Sequence, residues 1–149
     1  MNSDFTVAVH AMVYLHHKAC TLRSEELAEN ICTNPGRVRR VMSRLKKAGL
    51  VETREGRFLS GYSYEKTRTV SLGEISRALD SKFADLSWKS GNEEMDCKVA
   101  SGMAGYMDGL YDELNRRCRA YLDTIAVADV EQTLFKEEDK RKKFTPKLF

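Results

Sequence analysis

The segment from Asn34 to Gly49 constrains the fold more than any other part of the chain. Its sequence, NPGRVRRVMSRLKKAG, begins with a good N-cap residue and a proline, which suits the first helical position because its missing N–H needs no partner there. It ends in glycine, the residue that most often follows a helix in a left-handed conformation. Apolar residues at helical spacing predict one buried face: Val38, Val41, Met42 and Leu45. Basic residues dominate the other positions, which predicts an amphipathic helix with a cationic outer face.

The neighbouring segments indicate a winged helix-turn-helix. Residues 3–18 have helical periodicity, and so does the segment SEELAENI, for which Ser24 is the predicted N-cap. After the cationic helix, LVETR and RFLSGYSY are predicted strands joined at Glu55–Gly56. The stretch Ser71–Glu74 is a capping box that opens another helix. Two helices joined by a tight turn, the second cationic and followed by a β wing, predict a fold that is mainly α with a small β wing.

A long helix is predicted after residues 81–91, which we interpret as a connection. Asn92, followed by two glutamates, is the predicted start of this helix. An apolar stripe then recurs at steps of mostly three and four: Val99, Met103, Tyr106, Met107, Leu110, Leu114, Cys118 and Tyr121. Since the chain offers no obvious partner for this stripe, we predict that it pairs with a second copy in a homodimer.

The predicted organisation therefore has four parts. Residues 1–80 form the winged helix-turn-helix, and residues 81–91 connect it to the long helix. Residues 92–134 contain the dimerisation helix and a short C-terminal helix, which Thr124 is predicted to cap and which ends at about Leu134. Residues 135–149 are predicted to be a mobile basic tail.

Charge is distributed unevenly along the chain. The 149 residues carry a net charge of only +3, yet residues 34–68 contain ten basic and three acidic side chains. Residues 136–147 contribute a further +3, so the rest of the chain carries −7. A basic block in an otherwise acidic protein favours a surface for a polyanion, and double-stranded DNA is the predicted partner.

Several other classes of protein are disfavoured. No run approaches the roughly 18 apolar residues of a membrane span, and the first 20 residues do not resemble a signal peptide. The four cysteines form no CxxC pair, which argues against a zinc finger or a thiol oxidoreductase and favours a reducing cytoplasm. The motifs of serine hydrolases, phosphate-binding loops and zinc proteases are absent from the sequence. We therefore expect a cytoplasmic protein that is not an enzyme.

The sequence resembles the Rrf2 family of bacterial winged-helix transcriptional regulators. The most specific stretch is VRRVMSRLKKAGLVETREG, and SEELAENICTNPGRV and DTIAVADV support it, so that the likeness covers about residues 1–130. The resemblance implies a homodimer that binds a partly palindromic operator, with each cationic helix in a major groove and each wing at a minor groove.

The resemblance also implies which residues contact DNA. On the helix they are Asn34, Gly36, Arg37, Arg39, Arg40 and Arg44. In the wing they are Arg54, Arg57 and Tyr62. Arginines at a helix N-terminus suit the edges of guanine, whereas Lys46, Lys47 and Lys66 suit phosphate.

The sequence departs from the iron–sulfur members of this family. Those members carry three closely spaced cysteines at the start of the long helix, where this chain has only Cys97. Since a cluster usually needs four thiolates, we expect no cofactor and no metal. The wing also has fewer glycines than is common in the family, with only Gly56 and Gly61 in GRFLSGY.

The chain resembles the thiol-sensing members more closely, because some of these use one cysteine near each of the positions of Cys32 and Cys97. A helix N-terminus stabilises a thiolate, and both residues lie near a predicted one. The hypothesis is a repressor that an oxidant or electrophile releases by forming a disulfide between subunits. Alternatively, Cys32 is a small buried residue and Cys97 has no role.

Two further alternatives remain open at the level of the sequence. The regulator could sense an iron–sulfur cluster or a small molecule, or the fold could serve as a protein-interaction module without binding DNA. Trp88 is predicted to form a hydrophobic plug with Phe83 and Leu86 between the two parts of the chain, or to line an effector pocket.

Overall fold

The computed structural model describes residues 3–57, 60–85 and 87–144, and it is mainly helical with one small sheet. The elements, in chain order, are α1 (Ser3–Lys18), α2 (Ser24–Ile31), α3 (Pro35–Lys47), β1 (Glu52–Arg54), β2 (Gly61–Ser63), α4 (Leu72–Ala78), α5 (Lys98–Leu122) and α6 (Val127–Phe144). This order confirms the predicted fold class, a winged helix-turn-helix followed by a long helix. None of the described helices combines the length and hydropathy that a membrane span requires.

The core lies between the first four helices and is built from the predicted apolar faces. Its largest fully buried side chains come from four different helices: Met12, Leu15, Leu27, Met42, Leu45 and Ile75. Each such side chain contributes about 1.5–3 kcal/mol relative to an exposed position. The predicted inner face of α3 is confirmed, because Val38, Val41, Met42 and Leu45 are all buried.

The predicted ends of α3 are confirmed as well. The side chain of Asn34 accepts a hydrogen bond from the backbone N–H of Arg37 at 2.8 Å, and Pro35 is the first helical residue. Gly49 has a φ of +79°, in the left-handed region. These signals are local in sequence, which is why they fix the helix so well.

The wing is a two-stranded antiparallel sheet in which Thr53 faces Tyr62. Its second strand is held against the start of α2 by two backbone hydrogen bonds between Leu22 and Tyr62, of 3.2 and 2.8 Å. Gly61, with a φ of +148°, makes this approach possible, because a Cβ there would overlap the carbonyl group of Leu22. The strands are shorter than predicted, and Phe58 and Leu59 of the predicted second strand lie outside the described residues.

The start of α4 is joined to the turn between α5 and α6. The predicted capping box of Ser71 and Glu74 is present. The backbone N–H of Leu72 donates to Ile125, and that of Val127 donates to Val70, each at 2.9 Å.

A charged pair closes the same junction. Arg77 holds both carboxylate oxygens of Asp123, at 2.6 and 2.7 Å. The hydrogen bond from Arg77 holds the pKa of Asp123 below its ordinary value, because the guanidinium stabilises the carboxylate more than burial penalises it.

The predicted starts of α5 and α2 are wrong. The long helix begins at Lys98 with Cys97 as N-cap, not at Asn92, whose side chain instead accepts from the backbone N–H of Glu94 in a local turn. Ser24 is the first residue of α2 rather than its cap, and Arg23 takes the cap position without a side-chain hydrogen bond. Asn and Ser close turns as readily as they cap helices, so the residue type alone does not decide.

The last helix also differs from its prediction. Thr124 donates its hydroxyl to the carbonyl of Tyr121 instead of capping, while Asp129 accepts from the backbone N–H of Ala126. The helix continues to Phe144 rather than ending near Leu134, so that residues 135–144 of the predicted tail are helical. Ion pairs one turn apart support this extension: Glu137–Lys140 at 3.7 Å and Glu138–Lys142 at 2.9 Å. Residues 145–149 lie outside the described residues.

The predicted hydrophobic plug is wrong for Trp88, whose surface is 77% exposed. Phe83 packs edge-on against Phe5 of α1, with ring centroids 5.3 Å apart, and Leu86 lies outside the described residues. The connection is anchored by a polar side chain instead. Asn115 of α5 is buried, accepts from the backbone N–H groups of Phe83 and Ala84, and donates to the carbonyl of Ala84.

We expect Gly73→Ala to destabilise the protein by about 1–3 kcal/mol, although alanine is ordinarily the better helix former. A Cβ at Gly73 would overlap the carboxyl group of Asp123 and lie 2.9 Å from its backbone nitrogen, so α4 would have to separate from the end of α5. Urea unfolding measures the change. Gln132→Ala is the control, because Gln132 is exposed on α6, so that alanine there should not destabilise the chain. Equal stability of the two variants would contradict this account of the junction.

Candidate nucleic-acid interface

The candidate interface is the outer face of α3 together with the neighbouring wing. Because the apolar face of α3 is buried, its basic side chains are turned outward: Arg37, Arg39, Arg40, Arg44, Lys46 and Lys47. Arg54 is on β1 and exposed, and Arg57 is exposed just after it. The structure therefore brings the helix and the wing of the predicted site together on one side of the domain.

A basic cleft of about 480 Å³ lies between α3, which we call the recognition helix, and the wing. Its cationic lining consists of Arg23 just before α2, Arg39 and Lys46 of α3, and Arg54 of β1. Carboxylates also line or border it, since Glu25 and Glu55 are part of the same surface. An arrangement of cations on a concave surface suits a phosphate backbone.

The arginines of this surface are held by acidic partners. Arg37 donates from Nε to Asp4 at 3.0 Å, and Arg40 donates to the same oxygen at 3.3 Å. Arg39 lies 3.4 Å from Glu25. Burial alone raises the pKa of Asp4, but the hydrogen bond from Arg37 and the positive charges of Arg40 and Arg37 outweigh it, so this pKa lies below its ordinary value.

The wing has pairs of the same kind. Arg54 is paired with Glu65, and Lys66 lies 2.9 Å from Glu52. The hydrogen bond and charge of Lys66 hold the pKa of Glu52 below its ordinary value. The cationic side chains of the interface are therefore positioned before any ligand arrives.

Two further predicted contact residues have uncharged partners within the domain. Arg44 donates to the backbone carbonyl of Leu79 at 2.8 Å, which fastens the recognition helix to the end of α4. The hydroxyl of Tyr62 lies 3.3 Å from that of Ser24. Gly36 lies in the first turn of α3, where a Cβ would come within 3.3 Å of the capping oxygen of Asn34.

The two predicted sensor cysteines are both exposed, and they occupy different kinds of helix end. Cys97 is the N-cap of α5, and the backbone N–H groups of Ala100 and Val99 lower the pKa of its thiol. Cys32 is at the other end of a helix, the C-cap of α2, where its φ is +63° and its thiol donates to the carbonyl of Glu29 at 3.7 Å. All four cysteines are free thiols in this structure.

Sequence reasoning missed the acidic partners and Asn115. Asp4 and Glu25 lie 33 and 14 residues before the arginines that they hold, so no local pattern links them. Asn115 had a signal, because it is a polar residue beside a long apolar stripe. The apolar stripe alone accounts for the predicted helix, so nothing in the sequence required a role for Asn115.

The cationic recognition helix and wing make this chain a winged-helix regulator in its architecture. Residues 1–133 match the Rrf2 family, described as "Iron-dependent Transcriptional regulator", so the chain belongs to the Rrf2 family of transcriptional regulators. It is 31% identical over 136 residues to the "Putative HTH-type transcriptional regulator YwnA" of Bacillus subtilis (strain 168), covering 91% of this chain and 99% of that protein.

Solved structures agree with the fold. A "putative transcriptional regulator" from Lactobacillus plantarum has a TM-score of 0.75 at 24% identity, covering 95% of this chain and 99% of that one. CymR, the global cysteine regulator of B. subtilis, has a TM-score of 0.63 at 16% identity, covering 89% of this chain and 96% of that one.

The donor set of this chain does not fit the iron that the family description implies. Within residues 3–57, 60–85 and 87–144, no group of three or more His, Cys, Asp or Glu side chains is placed to hold a metal. The cysteines are dispersed, since Cys20 follows α1, Cys32 ends α2, Cys97 precedes α5 and Cys118 lies within α5. We therefore derive no chemistry from iron or from a cluster.

We expect Cys97 to react with iodoacetamide at lower pH than an ordinary thiol. A lowered pKa means that the thiolate persists to lower pH, so the rate should reach half its maximum at a lower pH in the folded protein than in the unfolded chain. The test uses a variant in which the other three cysteines are serine. The same variant unfolded in urea is the control, because unfolding removes the N–H groups of Ala100 and Val99. Identical midpoints in the folded and unfolded states would contradict the prediction.

Proposed function

We propose that this regulator is a homodimeric repressor that binds a partly palindromic operator. The observation that carries the proposal is the buried apolar stripe of α3, which turns its arginines outward beside the wing. In the proposed complex, α3 enters the major groove and the wing contacts the adjacent minor groove or its phosphates.

The proposed contacts follow from the side chains that the surface offers. Arg37, Arg39 and Arg40 are near the N-terminal half of α3 and suit base edges, because a guanidinium can grip guanine with two hydrogen bonds. Lys46 and Lys47 at its end, with Arg54 and Arg57 of the wing, suit phosphates. Arg44 and Tyr62 act mainly through their internal partners, which hold α3 and the wing in place.

The proposed dimer is formed by α5. In the single chain this helix exposes large apolar side chains over its whole length, between 38% and 70% of each: Val99, Met103, Tyr106, Leu110, Leu114 and Tyr121. Such a surface is unfavourable in water and is typical of an interface. Gly102, Gly105 and Gly109 have open space around them, which allows a second helix to approach closely.

We also propose that this dimer senses oxidants through Cys97 and Cys32. The thiolate of Cys97 attacks a hydroperoxide, displaces an alcohol and becomes a sulfenic acid. The thiol of Cys32 from the other subunit then attacks that sulfur, which forms the disulfide and releases water. The two thiols lose two electrons and the hydroperoxide gains them. The exposure of both thiols and the lowered pKa of Cys97 support these roles.

The location of Cys32 supports a link to DNA binding. It lies two residues before Asn34, the cap of α3, and its left-handed backbone forms the tight turn between α2 and α3. A disulfide at this point would pull on the start of the recognition helix. Its arginines would then no longer match the operator.

We expect the double variant Arg39→Ala, Arg40→Ala to bind an operator duplex about 10- to 100-fold more weakly. The duplex is one that the wild-type protein selects from a randomised 30-bp library, and fluorescence anisotropy measures binding over a range of salt concentrations. The slope against salt should also become shallower, since fewer counterions are released. Arg116→Ala is the control, because Arg116 pairs with Glu113 on α5. Undiminished binding by the double variant would favour the protein-interaction module.

We expect a hydroperoxide to convert the wild-type protein into a covalent dimer that no longer binds the operator. Non-reducing gel electrophoresis detects the dimer, and anisotropy detects the loss of binding. Cys32→Ser and Cys97→Ser should each abolish both effects, whereas Cys20→Ser, which changes another exposed cysteine, should abolish neither. Monomer-sized bands with unchanged DNA binding would leave the regulator with a different signal, such as a small molecule.

A further inference from the structure

Most arginines of the candidate interface already have hydrogen-bonding partners within the chain. On α3, three of them reach carboxylates and Arg44 reaches a carbonyl, and in the wing Arg54 reaches Glu65. The acidic partners come from outside the recognition helix, since Asp4 belongs to α1, Glu25 to α2, and Glu65 to the stretch after β2. A nucleic acid must therefore compete with groups that are already in place.

Asp4 differs from the other acidic partners in serving two arginines at once. Its Oδ1 accepts from Arg37 at 3.0 Å and from Arg40 at 3.3 Å. Ser3 completes the arrangement, because its hydroxyl accepts from Arg37 at 2.6 Å. The carboxylate of Asp4 is only 36% exposed, so it lies against the recognition helix rather than in free solvent.

We propose that Asp4 is a specificity-determining residue of the DNA interface, which suppresses binding to DNA of the wrong sequence. This inference rests on the proposed function. In a non-specific complex, Arg37 and Arg40 would meet phosphates, and each phosphate would replace a carboxylate that the arginines already hold. This exchange gains little binding free energy, and the negative charge of Asp4 repels the DNA backbone.

The operator complex escapes most of this penalty. An arginine carries five N–H donors in a rigid fork, and the hydrogen bonds to Asp4 and Ser3 use only part of this set. The remaining donors can reach base edges while the carboxylate keeps the guanidinium in position. Asp4 therefore disfavours phosphate contacts more than base contacts, and that difference is discrimination.

The test compares Asp4→Asn with the wild-type protein on two duplexes. One is the operator selected by the wild type from a randomised library, and the other is a 30-bp duplex of mixed sequence. We expect Asp4→Asn to bind the mixed duplex about 3- to 10-fold more tightly, with a salt slope steeper by about one, and to bind the operator within about twofold of the wild type. The ratio of the two affinities should fall by at least about threefold.

Glu138→Gln is the matched control for charge. It removes the same single negative charge from a residue whose partner, Lys142, is on the same helix, α6. An equal fall in the ratio for this variant would overturn the proposal, because net charge alone would then explain the effect. Asp4→Glu should restore discrimination, since it returns the carboxylate.

The remaining outcomes are also decisive. An unchanged ratio for Asp4→Asn, with only a lower melting temperature, would make Asp4 a structural residue and overturn the proposal. Asp4→Ser is the second variant if Asp4→Asn does not fold, and failure of both to fold would overturn the proposal in the same way. If the wild type itself does not prefer its selected duplex, the proposed function fails rather than this inference.

Discussion

The packing of α3 against the other helices of the domain is the constraint on which the interface depends. Val38, Val41, Met42 and Leu45 are each almost completely inaccessible, so α3 cannot rotate without exposing them to water. Burial of the apolar face of α3 therefore makes its opposite, basic face point outward. The orientation of the arginines on the outer face of α3 follows from this apolar contact.

The recognition helix could be predicted almost completely from sequence, because its signals are local. Asn34, Pro35 and Gly49 act on the backbone within a few residues. The apolar spacing can likewise be recognised within a single helix. The start of α5 and the end of α6 were mispredicted, since turns and exposed helix ends depend on small free-energy differences. The partners of the site were beyond reach for another reason: Arg44 and Leu79 meet across 35 residues.

The short helix α4 connects the interface with the rest of the chain. At its C-terminal end, the carbonyl of Leu79 holds Arg44 of the recognition helix. Arg77, just before Leu79 in the chain, pairs with Asp123 at the end of α5. Because α4 has only seven residues and is fastened on both sides, it links the end of α5 directly to α3. The same helix that stabilises the domain can thus carry a signal through it.

The backbone pairing of Leu22 with Tyr62 has a consequence for how such a regulator can be controlled. It ties the wing to the residues just before α2, so that the wing and the helix-turn-helix are joined through their backbones. The spacing between α3 and the wing, which contact different grooves in the proposed complex, is then set within each subunit. In the proposed dimer, what can still be adjusted is the separation and the angle between the DNA-binding units of the two subunits, each consisting of a helix-turn-helix and its wing. Control would therefore change the spacing between the two DNA-binding units of the proposed dimer, while each unit keeps its own conformation.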